Sequence, residues 1–433
     1  MKKKLYFIIA LNILLLLCFS IKSYASTTYK TIHIKHYNVK ITSTFKDKPI
    51  TLPDSKTNIY YYRKSDCKKI SIKTVYSDHN GNINNIKVNV PKDISRIYFS
   101  HQLIDKKNSM LLNEKGNNIT MISSELIKNN SININRVKML GGKSSYNKNY
   151  SYANAWYVYR DMIQDYYDAT SFTKRELKNK QHKNVLPFIE KPVKLKYTYS
   201  NKMSGLANTY KEDLGKIKKG DFVIRLNLPM LDQQHNQKRL DELHRVYIAH
   251  EYAHFTMFQA IGREGMTPYG YQSHSSYNKV PQVSYKEGWG LFHANRFPYR
   301  LNMNGNLDVI VQGKDKNILY GKSTNRTVFH VLRDIYDLEN RIEKQNDMYN
   351  IARDNFGKNY TESQIEQLSN GLMYFSMRDS KATTLEQYIK YLKQNYVHNQ
   401  TEFNQILKLN GLNTNGQFTL DQYNNRIHWK TLN

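Results

Sequence analysis

Between Leu240 and Gly262 the chain reads LDELHRVYIAHEYAHFTMFQAIG, and inside this stretch stand His250, Glu251 and His254. Residues four apart on a helix are about 40° apart around its axis, so His250 and His254 present their imidazoles to one point in space. Two imidazoles converging on a point suit one zinc ion. Glu251, one step on, lies beside such an ion rather than on it, where its carboxylate can take a proton from a water molecule. Apolar residues flank the string at helical period and Gly262 is a helix stop, so the spacing predicts a helix that runs as far as Ile261. The competing readings are two packing histidines on an amphipathic helix, or a metal that is structural only.

A catalytic zinc takes a third protein ligand and leaves a fourth position open. The extended HExxHxxGxxH pattern is absent, because Met257 fills its glycine position and Ala260 its third-histidine position. An acid further along the chain must serve. Glu264 lies in a Gly-flanked turn, and Glu287 lies in Ser284–Ala294, SYKEGWGLFHA, which is apolar at helical spacing between Pro281 and Pro298. Glu287 is the better choice. Gly288 and Gly290 cost about 1 kcal/mol each in a helix interior, and residues so small permit the close helix approach that a short carboxylate needs to reach an ion on its neighbour.

HEYAH, followed 33 residues after His254 by EGWG, resembles the gluzincin metallopeptidases over about residues 150–300. The EGW triplet is most similar to fungalysin-like enzymes, and the order helix, strands, motif helix looks like the thermolysin-like catalytic fold. The resemblance implies a zinc-dependent hydrolase of peptide bonds in which His250, His254 and Glu287 hold Zn2+ and Glu251 is the general base. It also implies a Tyr or His donor for the oxyanion, with Tyr271, His274, Tyr277, His293, Tyr320 and His330 as candidates, and an edge strand at Phe222–Asn227 that pairs with an extended substrate. One position departs from the pattern: thermolysin-like enzymes place an acid four residues after the third ligand to orient the first histidine, and here that residue is Leu291.

The elements that must position these residues predict an α+β chain. Ile32, Ile34, Val39 and Ile41 alternate, Asn58–Tyr62 and Ile70–Val75 are β-branched or aromatic, and the turn Asp78-His79-Asn80-Gly81 precedes Ile83, Ile86, Val88 and Val90. The stretch YSDHNGNINNIKVNVP resembles the strand-turn-strand unit of transthyretin-like or immunoglobulin-like accessory domains. Tyr152, Ala155, Trp156, Tyr159, Met162, Ile163, Tyr166 and Tyr167 then share one helical face. Strands are expected at Val193–Tyr199 and Phe222–Leu226. Further on, helices carry Val328, Leu332, Ile335 and Tyr336; Tyr388, Ile389 and Leu392 after a Thr383/Glu386 capping box; and Phe403, Ile406 and Leu407 after a Thr401 cap. The expected organisation is a β-sandwich-like domain over 26–103, an irregular linker rich in Asn, Ser and Lys over 104–147, a zincin (thermolysin-like) catalytic domain over 148–300 and a helical subdomain over 301–433.

Composition bounds the rest. The 433 residues hold 65 Lys plus Arg against 36 Asp plus Glu, a net charge of +29, and only two cysteines, which excludes a disulfide-built scaffold. Apolar residues at 39% exclude a disordered polycation. Lys2, Lys3 and Lys4, the apolar run Leu5–Ile21 and Ser23-Tyr24-Ala25 form a signal-peptide pattern cleaved after Ala25, which predicts a secreted or periplasmic protein with no later membrane span. An uncleaved anchor is disfavoured by Asn12 within the run, and a lipid anchor on Cys18 by Leu17. Cleavage removes four lysines and Cys18, leaving +25 and Cys67 as the single thiol. Lysine is spread along the chain without a dense basic arm, so no nucleic-acid partner is expected, and an anionic envelope surface is the partner class the charge allows. The competing function is a non-catalytic cell-envelope binding protein on a zincin scaffold. Glu251 favours an enzyme acting on peptides or proteins, since binding alone does not need it.

Overall fold

A computed structural model describes residues 28–42, 49–134, 138–139, 148–181, 184–198, 207–211, 222–227, 237–262, 277–300, 321–336, 349–357 and 359–420. The chain is α+β. Its N-terminal part is built from β1 (Tyr29–Asn38), β2 (Lys40–Thr42), β3 (Ile50–Thr51), β4 (Lys56–Tyr62), β5 (Lys69–Tyr76), β6 (Asn82–Pro91), β7 (Arg96–Gln102), β8 (Met110–Leu112), β9 (Thr120–Leu126), β10 (Ser131–Ile134) and β11 (Lys138–Met139). They form sheets ordered β10-β1-β6, β5-β4-β7-β9 and β11-β2-β3. Alternation drives the arrangement, because Ile32, Ile34, Val88 and Val90 from the first sheet and Ile59, Ile97, Phe99 and Met121 from the second enter one buried cluster. The turn into β6 is made by Asp78, whose Oδ1 accepts from the backbone N–H groups of Asn80 and Asn82 at 2.9 and 2.7 Å, and by Gly81 at φ +78°.

The stretch expected to be irregular carries four strands. β9 pairs antiparallel with β7, β10 and β11 pair parallel with β1 and β2, and β8 leaves the N-terminal sheets to pair with a strand far along the chain. β8, β10 and β11 escape the hydrophobic pattern because they are short, and β9 because Ser123 takes an inward position that an apolar residue would mark. Asp105 and Asn113 fold the connections: each side-chain oxygen accepts two backbone N–H groups, from Lys107 and Ser109 and from Lys115 and Asn117, at 2.8–3.0 Å. Gly141 and Gly142 lie outside the described residues.

Helix α1 (Lys148–Gln181) follows, then β12 (Lys194–Thr198), β13 (Ala207–Lys211), β14 (Phe222–Asn227), α2 (Gln237–Ile261) and α3 (Pro281–Arg300). Of the predicted α1 stripe, Tyr152 through Tyr166 is buried, while Tyr167, a further 100° round, is 50% exposed. The sheet of this part is ordered β13-β14-β12-β8, with β12 parallel to both β14 and β8, and β13 antiparallel to β14. β14 therefore lies inside the sheet, with its backbone paired on both sides, and is not the edge that was expected at Phe222–Asn227. Among the described residues the missed strand β13 forms that edge, and α2 packs against it.

The C-terminal part holds α4 (Asn325–Tyr336), α5 (Ile351–Phe356), α6 (Glu362–Ser380), α7 (Leu385–Asn395) and α8 (Gln400–Leu409). Two expected caps are shifted. Thr384 rather than Thr383 caps α7, accepting from Gln387 N at 3.3 Å while the Gln387 side chain accepts from Thr383 N at 2.9 Å. Asn399 caps α8, accepting from Glu402 N at 3.1 Å, and Thr401 is exposed within the first turn. Among the described residues no helix is long and apolar enough to cross a membrane. The proposed signal segment, residues 1–25, lies outside the described residues.

Candidate metal centre

Three helices build the site. α1 is the platform: the middle residues of the HEYAH string, Tyr252 and Ala253, are fully buried, and the Tyr252 ring packs edge-on against Tyr159 at 5.6 Å and Tyr166 at 5.7 Å on α1. With that face of α2 pinned inward, His250 and His254 turn toward α3. Gly262, at φ +83°, ends α2, its N–H donating to Phe258 O at 2.9 Å.

The spacing of the glycines on α3 sets how near the two helices come. A Cβ on Gly290 would lie 2.8 Å from His250 Cε1 and 2.9 Å from each of its ring nitrogens, so the imidazole rests on bare backbone. Gly288, two residues earlier and about 200° away round the axis, faces the other neighbour, where a Cβ would collide with Val328 on α4. Glycine on both sides lets α3 sit between α2 and α4 and carry Glu287 to the histidines. The chain thus brings together His250, His254 and Glu287, with one donor atom from each within 4.8 Å of the others.

The donor triangle is tighter than that bound. His250 Nε2 lies 3.0 Å from His254 Nε2, and Glu287 Oε2 lies 3.3 Å from the former and 3.4 Å from the latter. Three donors held about 2.0–2.1 Å from one tetrahedral ion are separated by about 3.3–3.4 Å, so the edges suit a zinc-sized cation. Two facing imidazole nitrogens and a carboxylate also match zinc in donor chemistry. Side-chain exposure is 7% at His254, 6% at Glu287 and 20% at His250, which places the opening of the cluster at His250. The residue four after Glu287, Leu291, is partly buried against the core. His254 Nδ1 is buried and makes no hydrogen bond among the described residues.

Electrostatics bind the three groups into a unit. Burial would raise the Glu287 pKa, but the charge of His254, hydrogen bonds from both imidazoles and the charge of His250 hold it well below the usual carboxylate range. Burial lowers His254, more than Glu287 raises it, and a charge on His250 lowers it further. For His250 burial is outweighed by the hydrogen bond to Glu287 and the negative charges of Glu251 and Glu287, so it stands above its ordinary value. The three groups titrate as a coupled unit, and a cation that takes their lone pairs competes with protons for them. Glu251 is buried, and its charge acts on both imidazoles.

Other candidates separate by burial. His293 is 1% exposed and stacked with Tyr166, whose hydroxyl lies 3.2 Å from its Nδ1; six residues after Glu287, it is about 240° round α3 from it. His330 is also buried, and burial together with Arg333 and Arg326 pushes its pKa down to about 3, so it stays neutral. Tyr277 is half-buried, and Glu264, Tyr271, His274 and Tyr320 lie outside the described residues. Sequence reasoning did not find that Gly290 backs His250 or that Lys286 Nζ lies 3.2 Å from Glu287 Oε1. The available signal was the pair of glycines two apart in an apolar helix. No protein-family model matches the chain, and no curated protein matches it.

Proposed function

We propose that the chain is a zinc-dependent metallopeptidase of gluzincin type, exported by its N-terminal signal and acting on peptides or proteins. The observation that carries the reading is the triangle of His250 Nε2, His254 Nε2 and Glu287 Oε2, with edges of 3.0–3.4 Å, beside a buried glutamate. The order of α1, a mixed sheet with an antiparallel edge strand, α2 and α3 supports a zincin fold. His250, His254 and Glu287 would hold the ion. When bound, zinc supplies Lewis acidity, polarising a carbonyl oxygen and lowering the pKa of a water molecule to about 7.

The remaining work falls to the chain itself. Glu251 takes the proton of the attacking water as its oxygen bonds to the carbonyl carbon, and passes that proton to the amine nitrogen as the C–N bond breaks. Its burial keeps it away from bulk water, and its place beside His250 keeps it within reach of the opening. Glu287 Oε2, 3.3 and 3.4 Å from the two Nε2 atoms, anchors both imidazoles. β13, paired on one side among the described residues and packed by α2, offers a backbone edge along which an extended substrate can lie.

The test combines metal content with activity on a protein substrate such as casein. The purified protein should hold one zinc per chain and lose activity on chelation. Glu251→Gln should retain zinc and lose about 10²–10⁴-fold in kcat; equal activity in that variant would sink the mechanism. Glu287→Ala should lose zinc, and full retention would redirect the third ligand to Glu264.

A further inference from the structure

Glu287 has two carboxylate oxygens, and the histidine pair uses one. Oε2 faces both Nε2 atoms, at 3.3 and 3.4 Å, while Oε1 lies 3.2 Å from Lys286 Nζ. Adjacent residues on a helix point in different directions, so the lysine chain has to bend toward Glu287 to make this contact. Its side chain is 23% exposed against 6% for Glu287, which leaves the ammonium partly hydrated while it meets a buried oxygen. Nothing in the HExxH-plus-glutamate pattern requires a cation at this position.

We propose that Lys286 is a positioning residue that holds Glu287 to the metal through Oε2 alone, keeping a coordination position free for water and the substrate carbonyl. This rests on the zinc-peptidase reading and deepens it. A carboxylate next to a divalent cation can bind through one oxygen or both, and the second mode adds a fifth donor beside the water, at the place where a substrate carbonyl would enter. An ammonium on Oε1 competes with that mode directly. Charge acts in the same direction: Glu287 and Glu251 together cancel a divalent ion, and Lys286 returns one positive charge to the site, where a carbonyl must be polarised.

The experiment compares the parent with Lys286→Met, equal in length and uncharged, and with Lys286→Arg. Each is loaded with zinc for affinity and kinetics, and with cobalt(II) for its visible spectrum, in which four-coordinate sites absorb more strongly than five-coordinate ones. Circular dichroism melts check folding. The parent and Lys286→Arg should give the intense four-coordinate band, whereas Lys286→Met should keep the metal, show the weaker five-coordinate band and lose about 10–100-fold in kcat with little change in KM. A Lys286→Met protein with the parent's spectrum and kcat would make Lys286 a solvated neighbour and overturn the proposal. Loss of the metal from that variant would overturn it too, because a carboxylate freed to use both oxygens should hold the ion at least as tightly. A parent that binds neither zinc nor cobalt would remove the peptidase reading itself, and this inference with it.

Discussion

Gly290 is the residue on which the candidate centre turns, because no side chain fits between its backbone and the His250 imidazole. Gly290→Ala should lower stability by about 1–3 kcal/mol through overpacking and, by moving the ring, weaken zinc binding about 10–100-fold. Gly288→Ala supplies the contrast. It meets Val328 rather than a histidine, so it should destabilise to a similar degree while zinc affinity stays at the parent's value. Chelator competition and thermal unfolding read the two effects separately, and equal zinc affinity in both variants would show that His250 is not positioned from this side. The glycine pair was visible in the sequence as a cost without a local benefit. Which glycine faces the His250 imidazole was not, because that depends on the helices α3 lies between.

Among the elements, periodicity carried the long helices and failed where short polar side chains shaped the backbone. α2 and α1 were legible because their buried faces repeat over many turns. The caps of α7 and α8 were misplaced by one or two residues, since several neighbouring Thr and Asn side chains can each offer an oxygen and only the backbone's departure from helix selects one. Asn399→Ala should therefore cost about 1 kcal/mol, whereas Thr401→Ala, exposed inside α8, should stay within about 0.5 kcal/mol; the reverse order in denaturant titrations would restore the predicted cap. β13 was missed for a related reason. Its sequence, ANTYK, alternates no apolar residues, and an edge strand needs only one partner to form.

On the scale of the whole molecule, a buried ionic network joins the N-terminal sheets to α1. Arg160 contacts Asp54 at 3.1 Å, Asp105 at 2.6 Å and Glu190 at 2.7 Å, and Trp156 Nε1 donates to Pro53 O at 2.7 Å. His79, on the turn before β6, lies 3.5 Å from Asp54 and 3.9 Å from Asp161 of α1. The Asp54 side chain raises the His79 pKa above its ordinary 6.5, against burial. For Asp54, burial is outweighed by His79 and Arg160, which hold it below its ordinary 3.8. The stability from the pair is thus full between those two ordinary values. It is lost as pH falls through the folded value of Asp54, and again as pH rises through the folded value of His79. The difference in Tm between the parent and His79→Asn should be largest between pH 3.8 and 6.5 and should shrink as pH rises above 6.5 through the folded value of His79. A difference that does not vary across this range would remove His79 from the junction.

What the amino-acid sequence determined by itself was local. The 3.6-residue period places His250 and His254 on one face, puts Glu251 beside them and buries Tyr252, and any helix through these residues would do the same. Tertiary structure decided what local periodicity cannot reach. It took Glu287 across 37 positions to His250, set Gly290 against the imidazole, moved β14 from the edge to the interior of its sheet, and joined Asp54 to Arg160 across 106 positions. Those choices depend on which surfaces fit when the core closes, and the periodicity of a single segment holds no information about its partner.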